Sequence, residues 1–341
     1  MISFASDYIT GAHPKVLQRL LESNTEVLPG YGTDKYCAAA ADKIRAACGN
    51  NRLDVFFLSG GTQANAVIIA TMLAPYQGAV AAITGHINAH EAGAVEYTGH
   101  KVLPLPHHQG KIAPAELYAY LEDFYADANH DHMVYPGLVY ISHPTEYGTL
   151  YSKAELTALA EICRRYKIPL FMDGARLAYA LASYDADVTL TDIATLCDAF
   201  YIGGTKAGAL CGEAVVFKPE FTPPGFITMT KQHGAMLAKG RLLGVQFDAL
   251  FTDGLYLEIG RHAIAMAEQL KQALCEAGCR FLLNSPTNQQ FIILENAKLA
   301  ELQQHVAVSF WEKVDDNHSA VRLATCWSTT PEDIAALRQY L

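Results

Sequence analysis

The sequence is poor in charged residues and has no excess of positive charge. Asp, Glu, Lys and Arg make up only 18% of its 341 residues. A chain of this length and apolar content buries a large core, so disorder is excluded as its main state. Lys and Arg number 25 against 35 Asp and Glu, which argues against a basic surface for nucleic acid. The shortage of charge also predicts that a partner subunit covers part of the surface.

Closely spaced cysteine pairs are missing as well. The 8 cysteines are scattered along the chain and form no CxxC pair. We therefore expect no disulfide framework, and a reducing, cytoplasmic location fits this pattern. Residues 1–10 lack a cationic region followed by an apolar run, so no signal peptide is expected.

Charged residues are absent altogether from residues 55–90. A membrane span needs about 20 consecutive apolar residues. Glycines at 60, 61 and 78 and a proline at 75 interrupt the stretch well before that length. The pattern predicts a buried strand, a turn, a helix and a second strand instead of a span.

Short apolar runs alternate with amphipathic helical patterns between about residues 51 and 217. Ser152 and Glu155 form a capping box at the start of the clearest helix. Strands that alternate with helices at this spacing predict a mostly parallel sheet covered on both faces. The predicted strands are Val55–Leu58, Ala79–Thr84, Gly137–Ser142, Pro169–Met172 and Ala199–Ile202.

The C-terminal part of the sequence has the pattern of a small α/β domain. A long helix is predicted over about residues 258–277, ending at Gly278. Short strands near residues 291–295, 306–310 and 320–326 follow, and a last helix begins with Pro331. We expect residues 1–245 to form an N-terminal segment and a large domain, and residues 246–341 to form the small domain.

A candidate phosphate loop follows the first strand of the alternating region. Leu58 precedes two glycines, Gly60 and Gly61, and the hydroxyl residue Thr62 stands at the start of the next helix. Free amides at a helix start, together with the positive end of the helix dipole, suit a phosphate. An ordinary turn capped by Thr62 explains the same residues, and this motif alone does not decide between the two.

A carboxylate stands at the end of a second apolar strand. Asp173 follows residues 169–172, at the edge where open α/β sheets place ligands. A carboxylate that emerges from a buried strand needs a cationic partner. Arg176 would provide one as a structural ion pair, and the protonated ring nitrogen of a cofactor would serve equally well.

A lysine follows a third buried strand. Lys206 is flanked by small residues, and partial desolvation would lower its pKa and make its amine nucleophilic, as imine chemistry requires. A surface lysine in a glycine loop is the alternative for this motif by itself. Taken together, the phosphate loop, Asp173 and Lys206 match a site for pyridoxal 5′-phosphate (PLP), because a carboxylate keeps the PLP ring nitrogen protonated and able to accept electrons.

Two histidines, His86 and His90, are four residues apart, a spacing that would place two zinc ligands on one helix face. No third ligand is evident, and Glu91 follows the second histidine, whereas metalloproteases carry glutamate after the first. We therefore expect no metal, and stacking of His86 on the PLP ring is the better use of its imidazole.

These residues resemble the threonine aldolase family, in the β-eliminating lyase group of fold-type-I PLP enzymes. The similarity covers nearly the whole chain and is closer to a phenylserine aldolase-like branch than to the commonest bacterial low-specificity threonine aldolases. It implies the fold-type-I PLP-dependent transferase fold, with a mostly parallel seven-stranded sheet and a small C-terminal α/β domain. The motifs that carry it are Ser6-Asp7, Tyr31-Gly32, the run 61–65, the run 173–176 and Lys206.

The resemblance also implies which residues bind the cofactor. Lys206 would form the Schiff base, and Asp173 would pair with the pyridine nitrogen. Gly61 and Thr62 would hold the phosphate, and His86 would stack on the ring.

The substrate is an amino acid in this family, and the resemblance implies its contacts too. Arg176 is expected near the 3′-oxygen of PLP and near the substrate carboxylate. Ser6 and Arg322 would hold that carboxylate, since an arginine fork suits it well. Tyr31 would enter the site from a neighbouring subunit of a homodimer or homotetramer.

The implied activity is retro-aldol cleavage of L-threonine, L-allo-threonine or related β-hydroxy-α-amino acids, phenylserine among them, to glycine and an aldehyde. The candidates for the base that accepts the β-hydroxyl proton are His86, Glu91, Glu146 and a bound water. Glu146 stands where many family members carry a histidine, which leaves the stereochemical preference at Cβ open.

Two other functions fit the same cofactor motifs. A PLP-dependent β-eliminating lyase or aminotransferase, acting on an aromatic or other small amino acid, would use the same lysine and aspartate. A non-enzymatic binding or regulatory module of this fold is the third possibility, and the intact Lys206, Asp173 and Arg322 argue against it.

Overall fold

The computed structural model describes residues 2–341. Its strands, in chain order, are β1 Ile2–Ser3, β2 Asp54–Leu58, β3 Gln77–Ala82, β4 Val102–Leu105, β5 Tyr135–Ser142, β6 Leu170–Asp173, β7 Ala199–Gly203, β8 Glu213–Phe217, β9 Arg280–Phe281, β10 Gln289–Glu295, β11 Val306–Ala307, β12 Ser309–Lys313 and β13 His318–Ala324.

Helices connect these strands and cover the sheets. They are α1 Pro14–Ser23, α2 Lys35–Ala47, α3 Gly61–Met72, α4 His86–Ala89, α5 Ala94–Tyr97, α6 Pro114–Ala126, α7 Lys153–Tyr166, α8 Leu177–Ala182, α9 Leu190–Leu196, α10 Phe226–Gln232, α11 Arg241–Leu250, α12 Leu255–Glu276, α13 Asn296–Leu302 and α14 Pro331–Leu337. Within residues 2–341, none of them combines the length and the apolar character needed to span a membrane.

The large sheet has seven strands in the order β2-β8-β7-β6-β5-β3-β4. β8 runs antiparallel to both of its neighbours, and the other pairs are parallel. Every residue of β6, β7 and β8 is buried, as expected for strands covered by helices on both faces. The predicted mostly parallel seven-stranded sheet is therefore confirmed.

The carboxyl ends of the central parallel strands β5, β6 and β7 lie at one edge of this sheet. The backbone approaches itself closely here, because a Cβ atom at Gly174 would lie only 2.1 Å from the carbonyl oxygen of Tyr201. Only glycine fits at position 174 without moving one of the two strands. The chain segments that follow β6 and β7 are thereby held next to each other.

The C-terminal region forms a four-stranded sheet in the order β12-β13-β10-β9, packed against α12 and α14 around its own apolar core. Phe4 from the N-terminal segment lies in this core, and β1 pairs in parallel with β11. The single strand predicted over residues 306–310 is two strands, because β11 pairs with β1 whereas β12 pairs with β13. The predicted boundary between residues 245 and 246 falls inside α11 and stays a prediction.

Helix ends follow the local sequence closely. The predicted capping box of Ser152 and Glu155 is present at the start of α7. The long helix α12 begins at Leu255, three residues earlier than predicted, because Gly254 adopts a left-handed conformation with φ of 73° and turns the chain into it. Gly278, with φ of 72°, lies just beyond its end.

Candidate active site

Asp173 lies at the end of β6 and forms the floor of the candidate site. Its Oδ2 accepts hydrogen bonds from the Tyr140 hydroxyl at 2.6 Å and from Asn65 Nδ2 at 3.1 Å, and its Oδ1 accepts one from the Ala175 amide at 3.0 Å. Burial alone would raise the pKa of Asp173, but the nearby His86 imidazole and these donors hold it below the ordinary value. The carboxylate is therefore kept ionised.

Arg176 pairs with Asp7 and not with Asp173, so the structural ion pair considered for Asp173 does not form. Nε and Nη2 of Arg176 donate to the two oxygens of Asp7 at 2.7 and 3.0 Å. Asn288 Nδ2 donates to the same carboxylate at 2.9 Å. Burial alone would raise the pKa of Asp7, but the positive charges of Arg176 and Lys206 lower it to about 2. This contact joins the N-terminal segment to the loop after β6.

The start of α3 supplies backbone donors to the site. Its N-cap is Gly60, and within residues 2–341 no side chain caps the helix, so the alternative of a turn capped by Thr62 is wrong. The first amides of the helix are thus free for an anion. A Cβ atom at Gly61 would lie 3.0 Å from the hydroxyl oxygen of Tyr201, so glycine keeps this cradle open.

Lys206 follows β7 and is half-buried. Its Nζ lies 5.9 Å from the centre of the Tyr8 ring, and no hydrogen bond or ion pair within residues 2–341 uses it. Burial and the positive charge of Arg176 lower the pKa of the Lys206 amine, which the carboxylates of Asp7, Asp173 and Glu213 partly oppose. The amine is therefore easier to deprotonate than an ordinary lysine.

His86 opens the short helix α4 beside this lysine. Its Nδ1 lies 2.7 Å from Oε1 of the buried Glu91, which also accepts from Asn65 Nδ2 at 2.8 Å. Since a carboxylate can only accept, we assign the proton to Nδ1 of His86. α4 ends at Ala89, so His90 lies beyond the helix, with its ring centre 5.6 Å from that of His86.

Glu146 follows β5 and is buried. Its Oε1 accepts from the backbone amide of His86 at 3.0 Å and from the Ser142 hydroxyl at 2.6 Å. Its Oε2 is buried and has no hydrogen-bond partner within residues 2–341. Burial raises the pKa of the Glu146 carboxyl above its ordinary value, although the Ser142 bond opposes this.

Arg322 on β13 is a cation without a carboxylate contact. Its Nη1 donates to Gln289 Oε1 at 3.1 Å and its Nη2 to the Ala5 carbonyl at 3.3 Å, while its buried Nε has no partner within residues 2–341. The hydroxyl of the buried Ser6 also lacks one. Burial and the charge of Arg176 lower the pKa of Arg322 to about 10. A half-buried guanidinium in this state favours an anion.

Two adjoining cavities of about 420 and 480 Å³ bring these residues together. The inner cavity reaches the start of α3 and Asp173, and the outer cavity reaches Arg322 and the aromatic residues Tyr147 and Trp311. The residues that line both are Tyr8, His86, His90, Glu146, Arg176 and Lys206.

Three predicted site residues do not line these two cavities. Glu91 lies behind His86, and Ser6 is buried next to Ala5, whose carbonyl contacts Arg322. Tyr31 lines a separate cavity of about 400 Å³ and is half-exposed. Its predicted role in the site of a neighbouring subunit stays a prediction.

Several residues of the site were not assigned a role from the sequence. Asn65 and Tyr140 hold Asp173, and Glu213 lines the inner cavity beside Lys206. One signal was available for Glu213, since it is the only charged residue in the otherwise apolar run 213–217. Asn65 stands one helical turn after Gly61, which places both on the side of α3 that faces the site.

Comparisons with known proteins agree with this architecture. The family model described as Beta-eliminating lyase matches residues 3–297. A threonine aldolase structure from Leishmania major superposes with a TM-score of 0.96 at 42% identity, covering 99% of this chain and 98% of that one. The low specificity L-threonine aldolase of Pseudomonas aeruginosa is 28% identical over 88% of this chain and 86% of its own length. Aspartate aminotransferase from Thermus thermophilus, at 16% identity over 100% of this chain and 90% of that one, shares the fold with a TM-score of 0.71.

The fold and the site therefore define an enzyme of the fold-type-I, PLP-dependent class. The chain belongs to the beta-eliminating lyase family, in its threonine aldolase group. The closer similarity to a phenylserine aldolase-like branch stays a prediction.

The ion pair of Asp7 and Arg176 predicts a pH-dependent contribution to stability. Asp7→Asn leaves Arg176 buried without a carboxylate, so we expect a loss of about 3–5 kcal/mol of unfolding free energy at pH 7. The folded pKa of about 2 lies below the ordinary value of 3.8. The difference in unfolding free energy between the wild type and Asp7→Asn should therefore have its full size above about pH 4 and shrink as the pH falls toward 2.

Urea denaturation of both proteins at several pH values measures this difference. Asp123→Asn, on the exposed side of α6, is the matched control and should change stability by less than about 0.5 kcal/mol. An Asp7→Asn variant as stable as the wild type at pH 7 would show that this pair does not hold the N-terminal segment.

Proposed function

We propose that this chain binds PLP at Lys206 and cleaves the Cα–Cβ bond of L-threonine, L-allo-threonine or related β-hydroxy-α-amino acids to give glycine and an aldehyde. The observation that carries the proposal is the pair of adjoining cavities, which share Lys206. One presents an ionised aspartate and free helix amides, and the other a half-buried arginine that has no carboxylate contact within residues 2–341. These are the partners of a phosphorylated pyridine and of an amino acid, respectively.

The residues of the inner cavity fit the cofactor. The uncapped amides of Gly61 and Thr62 suit its phosphate, and Asp173 suits its protonated ring nitrogen. His86, held by Glu91, would stack on the ring, and the lowered pKa of Lys206 favours bonding to an aldehyde carbon. When bound, PLP supplies an electron sink for the electron pair released at Cα.

The outer cavity fits the amino acid substrate. Arg322, which lines this cavity, would bind the carboxylate. The contact of Ser6 with the same carboxylate stays a prediction, because Ser6 lines neither cavity. Arg176 lines both cavities, but its Nε and Nη2 are used by Asp7. We therefore propose that Arg176 acts mainly through its positive charge, which would favour the cofactor oxygen and the substrate carboxylate nearby.

A base must take the proton of the β-hydroxyl while the Cα–Cβ bond breaks and the aldehyde carbonyl forms. Among the candidates, Glu91 lines neither cavity, and the imidazole of His86, whose Nε2 would be the basic nitrogen, is assigned to stacking on the ring. Glu146 lines both cavities, and its raised pKa makes it a stronger base than an ordinary glutamate. We propose Glu146 for this step, with a proton returned to Cα to complete glycine.

The assembly and the compartment stay predictions. Exposed apolar side chains near the N-terminus support a homodimer or homotetramer, among them Leu21, Val27 and Tyr31. The cytoplasmic location rests on the scattered cysteines alone.

The variant Lys206→Ala tests the proposed activity. The wild-type chain should bind PLP with a visible absorbance band and release aldehyde and glycine from L-threonine, and both should fall to background in the variant. Lys101→Ala, an exposed lysine on the same domain, is the control and should retain both. Pyruvate and ammonia, or transamination of an oxo-acid, in place of the aldehyde would favour the alternative lyase or aminotransferase.

Arg322→Gln tests the substrate carboxylate site. Loss of a charge-assisted contact costs about 1.5–3 kcal/mol, so KM for threonine should rise about 10- to 100-fold while the absorbance of bound PLP is unchanged. Arg280→Gln, on β9 of the same sheet, is exposed and should leave KM unaltered. An unchanged KM in Arg322→Gln would show that Arg322 does not bind the substrate carboxylate.

Glu146→Gln tests the base. The amide retains the size of the side chain but accepts no proton, so kcat should fall about 100-fold or more with PLP still bound. The acidic limb of the pH profile of kcat should also disappear, because it reports ionisation of this carboxyl. A variant with normal kcat and an unchanged pH profile would indicate that His86 or a bound water, and not Glu146, is the base.

A further inference from the structure

Lys206 is carried by a tight loop between β7 and β8, and Glu213 is the residue that closes it. The Glu213 carboxylate accepts from the Gly204 amide at 3.2 Å and from the Thr205 hydroxyl at 2.9 Å. Gly204 and Thr205 also donate their amides to the carbonyl of Gly212, at 2.9 and 3.1 Å. The two residues directly before Lys206 are therefore held by Glu213 and its neighbour.

Glu213 is also placed between two parts of the candidate site. It is the first residue of β8, where it pairs with Leu58 at the end of β2 on one side and with Gly203 at the end of β7 on the other. β2 leads into the phosphate loop, and β7 leads to Lys206. Its side chain lines the inner cavity with Lys206.

The carboxylate is buried without a salt bridge within residues 2–341, which is an unusual environment for a glutamate. Burial raises the pKa of Glu213, and the charge of Lys206 opposes the rise. The negative charge of Glu213 in turn raises the pKa of Lys206. The charge of each group thus shifts the pKa of the other.

We propose that Glu213 is a positioning residue that fixes the loop carrying Lys206 and sets the proton affinity of the Lys206 nitrogen. When the carboxyl of Glu213 is ionised, its negative charge favours the protonated form of the Lys206 amine. The charge of Glu213 would affect how readily Lys206 gives up and regains a proton. Its importance for catalysis rests on the proposed function, in which Lys206 binds PLP.

Other charged or titratable groups face the same pair. Those facing Lys206 are Arg176, Asp7, Asp173 and Tyr8, and those facing Glu213 are Asp173, Tyr201 and Tyr256. Asp7 and Asp173 each have strong donors of their own, from Arg176 and from Tyr140. Glu213 is thus the carboxylate near Lys206 whose donors, the Gly204 amide and the Thr205 hydroxyl, belong to the lysine loop itself.

Glu213→Gln separates the charge from the hydrogen bonds, because the amide oxygen still accepts from Thr205 or Gly204. The first measurement is the pH dependence of Lys206 acetylation by acetic anhydride in the full-length, cofactor-free chain, read by mass spectrometry against Lys101. We expect the midpoint to move about one pH unit lower than in the wild type. The second measurement is the pH midpoint of the PLP absorbance in the loaded protein, which should move the same way.

Two further variants complete the experiment. Glu213→Asp keeps the charge and should restore a midpoint near that of the wild type, and it carries the test if Glu213→Gln does not fold by circular dichroism. Glu220→Gln is an exposed control just beyond β8 and should change neither midpoint.

The outcomes separate the two proposals. The role of Glu213 would be overturned if the acetylation midpoint of Glu213→Gln equalled that of the wild type. It would also be overturned if the midpoint of Glu213→Asp lay about one pH unit below that of the wild type, as expected for a neutral side chain. Wild-type chain that shows no PLP absorbance would refute the proposed function, while the acetylation result would still decide the role of Glu213.

Discussion

The site depends on one buried ion pair, between Arg176 and Asp7. These residues lie 169 positions apart in the chain, yet two hydrogen bonds join them, and Asn288 Nδ2 donates a further one to Asp7. The pair fixes the N-terminal segment against the loop after β6. The carbonyl of Ala5, two residues before Asp7, then holds Arg322. Phe4 and β1 hold the start of this segment on the small sheet, and the ion pair joins the part carrying Ser6 to the cofactor floor. Because Arg176 lines both cavities, the same contact fixes a cation in the wall that they share.

Three buried carboxylates around the inner cavity behave differently, although all share a low-dielectric environment. Asp173 has hydroxyl, amide and backbone donors and stays ionised with a lowered pKa. Glu146 and Glu213 have fewer donors, and burial raises the pKa of each. The charge of His86 and the donors together keep Asp173 ionised, whereas burial outweighs the donors of Glu146 and Glu213 and leaves these two able to exchange a proton. A permanent charge suits the ring nitrogen of a cofactor, whereas proton exchange suits a base or a group that tunes Lys206.

The sequence alone could predict those site residues that directly follow an apolar strand. Gly61, Asp173 and Lys206 each do, and parallel strands bring such positions to one edge of the sheet. The partners that set their charge could not be predicted in this way. Tyr140 lies inside a predicted strand and Asp7 in the N-terminal Ser6-Asp7 motif, and neither pattern tells which side chain it contacts. The same limit explains the split of the strand predicted over residues 306–310, since its two halves differ only in their distant partners. Local periodicity contains no information about such partners.

The residues proposed to bind the cofactor and those proposed to contact the substrate come from different sheets. The large sheet supplies Asp173 and Lys206, whereas the small sheet supplies Arg322 and one wall of the outer cavity. A β-bulge in β12 lets the consecutive residues 310–312 all line that cavity, although neighbours in a regular strand point to opposite faces. Tyr147 packs edge-on against Trp311 at 5.2 Å, which fixes the aromatic wall. Under the proposed function, changes in this wall would alter which Cβ substituent fits, and the cofactor floor would remain intact because none of its hydrogen bonds involves β12.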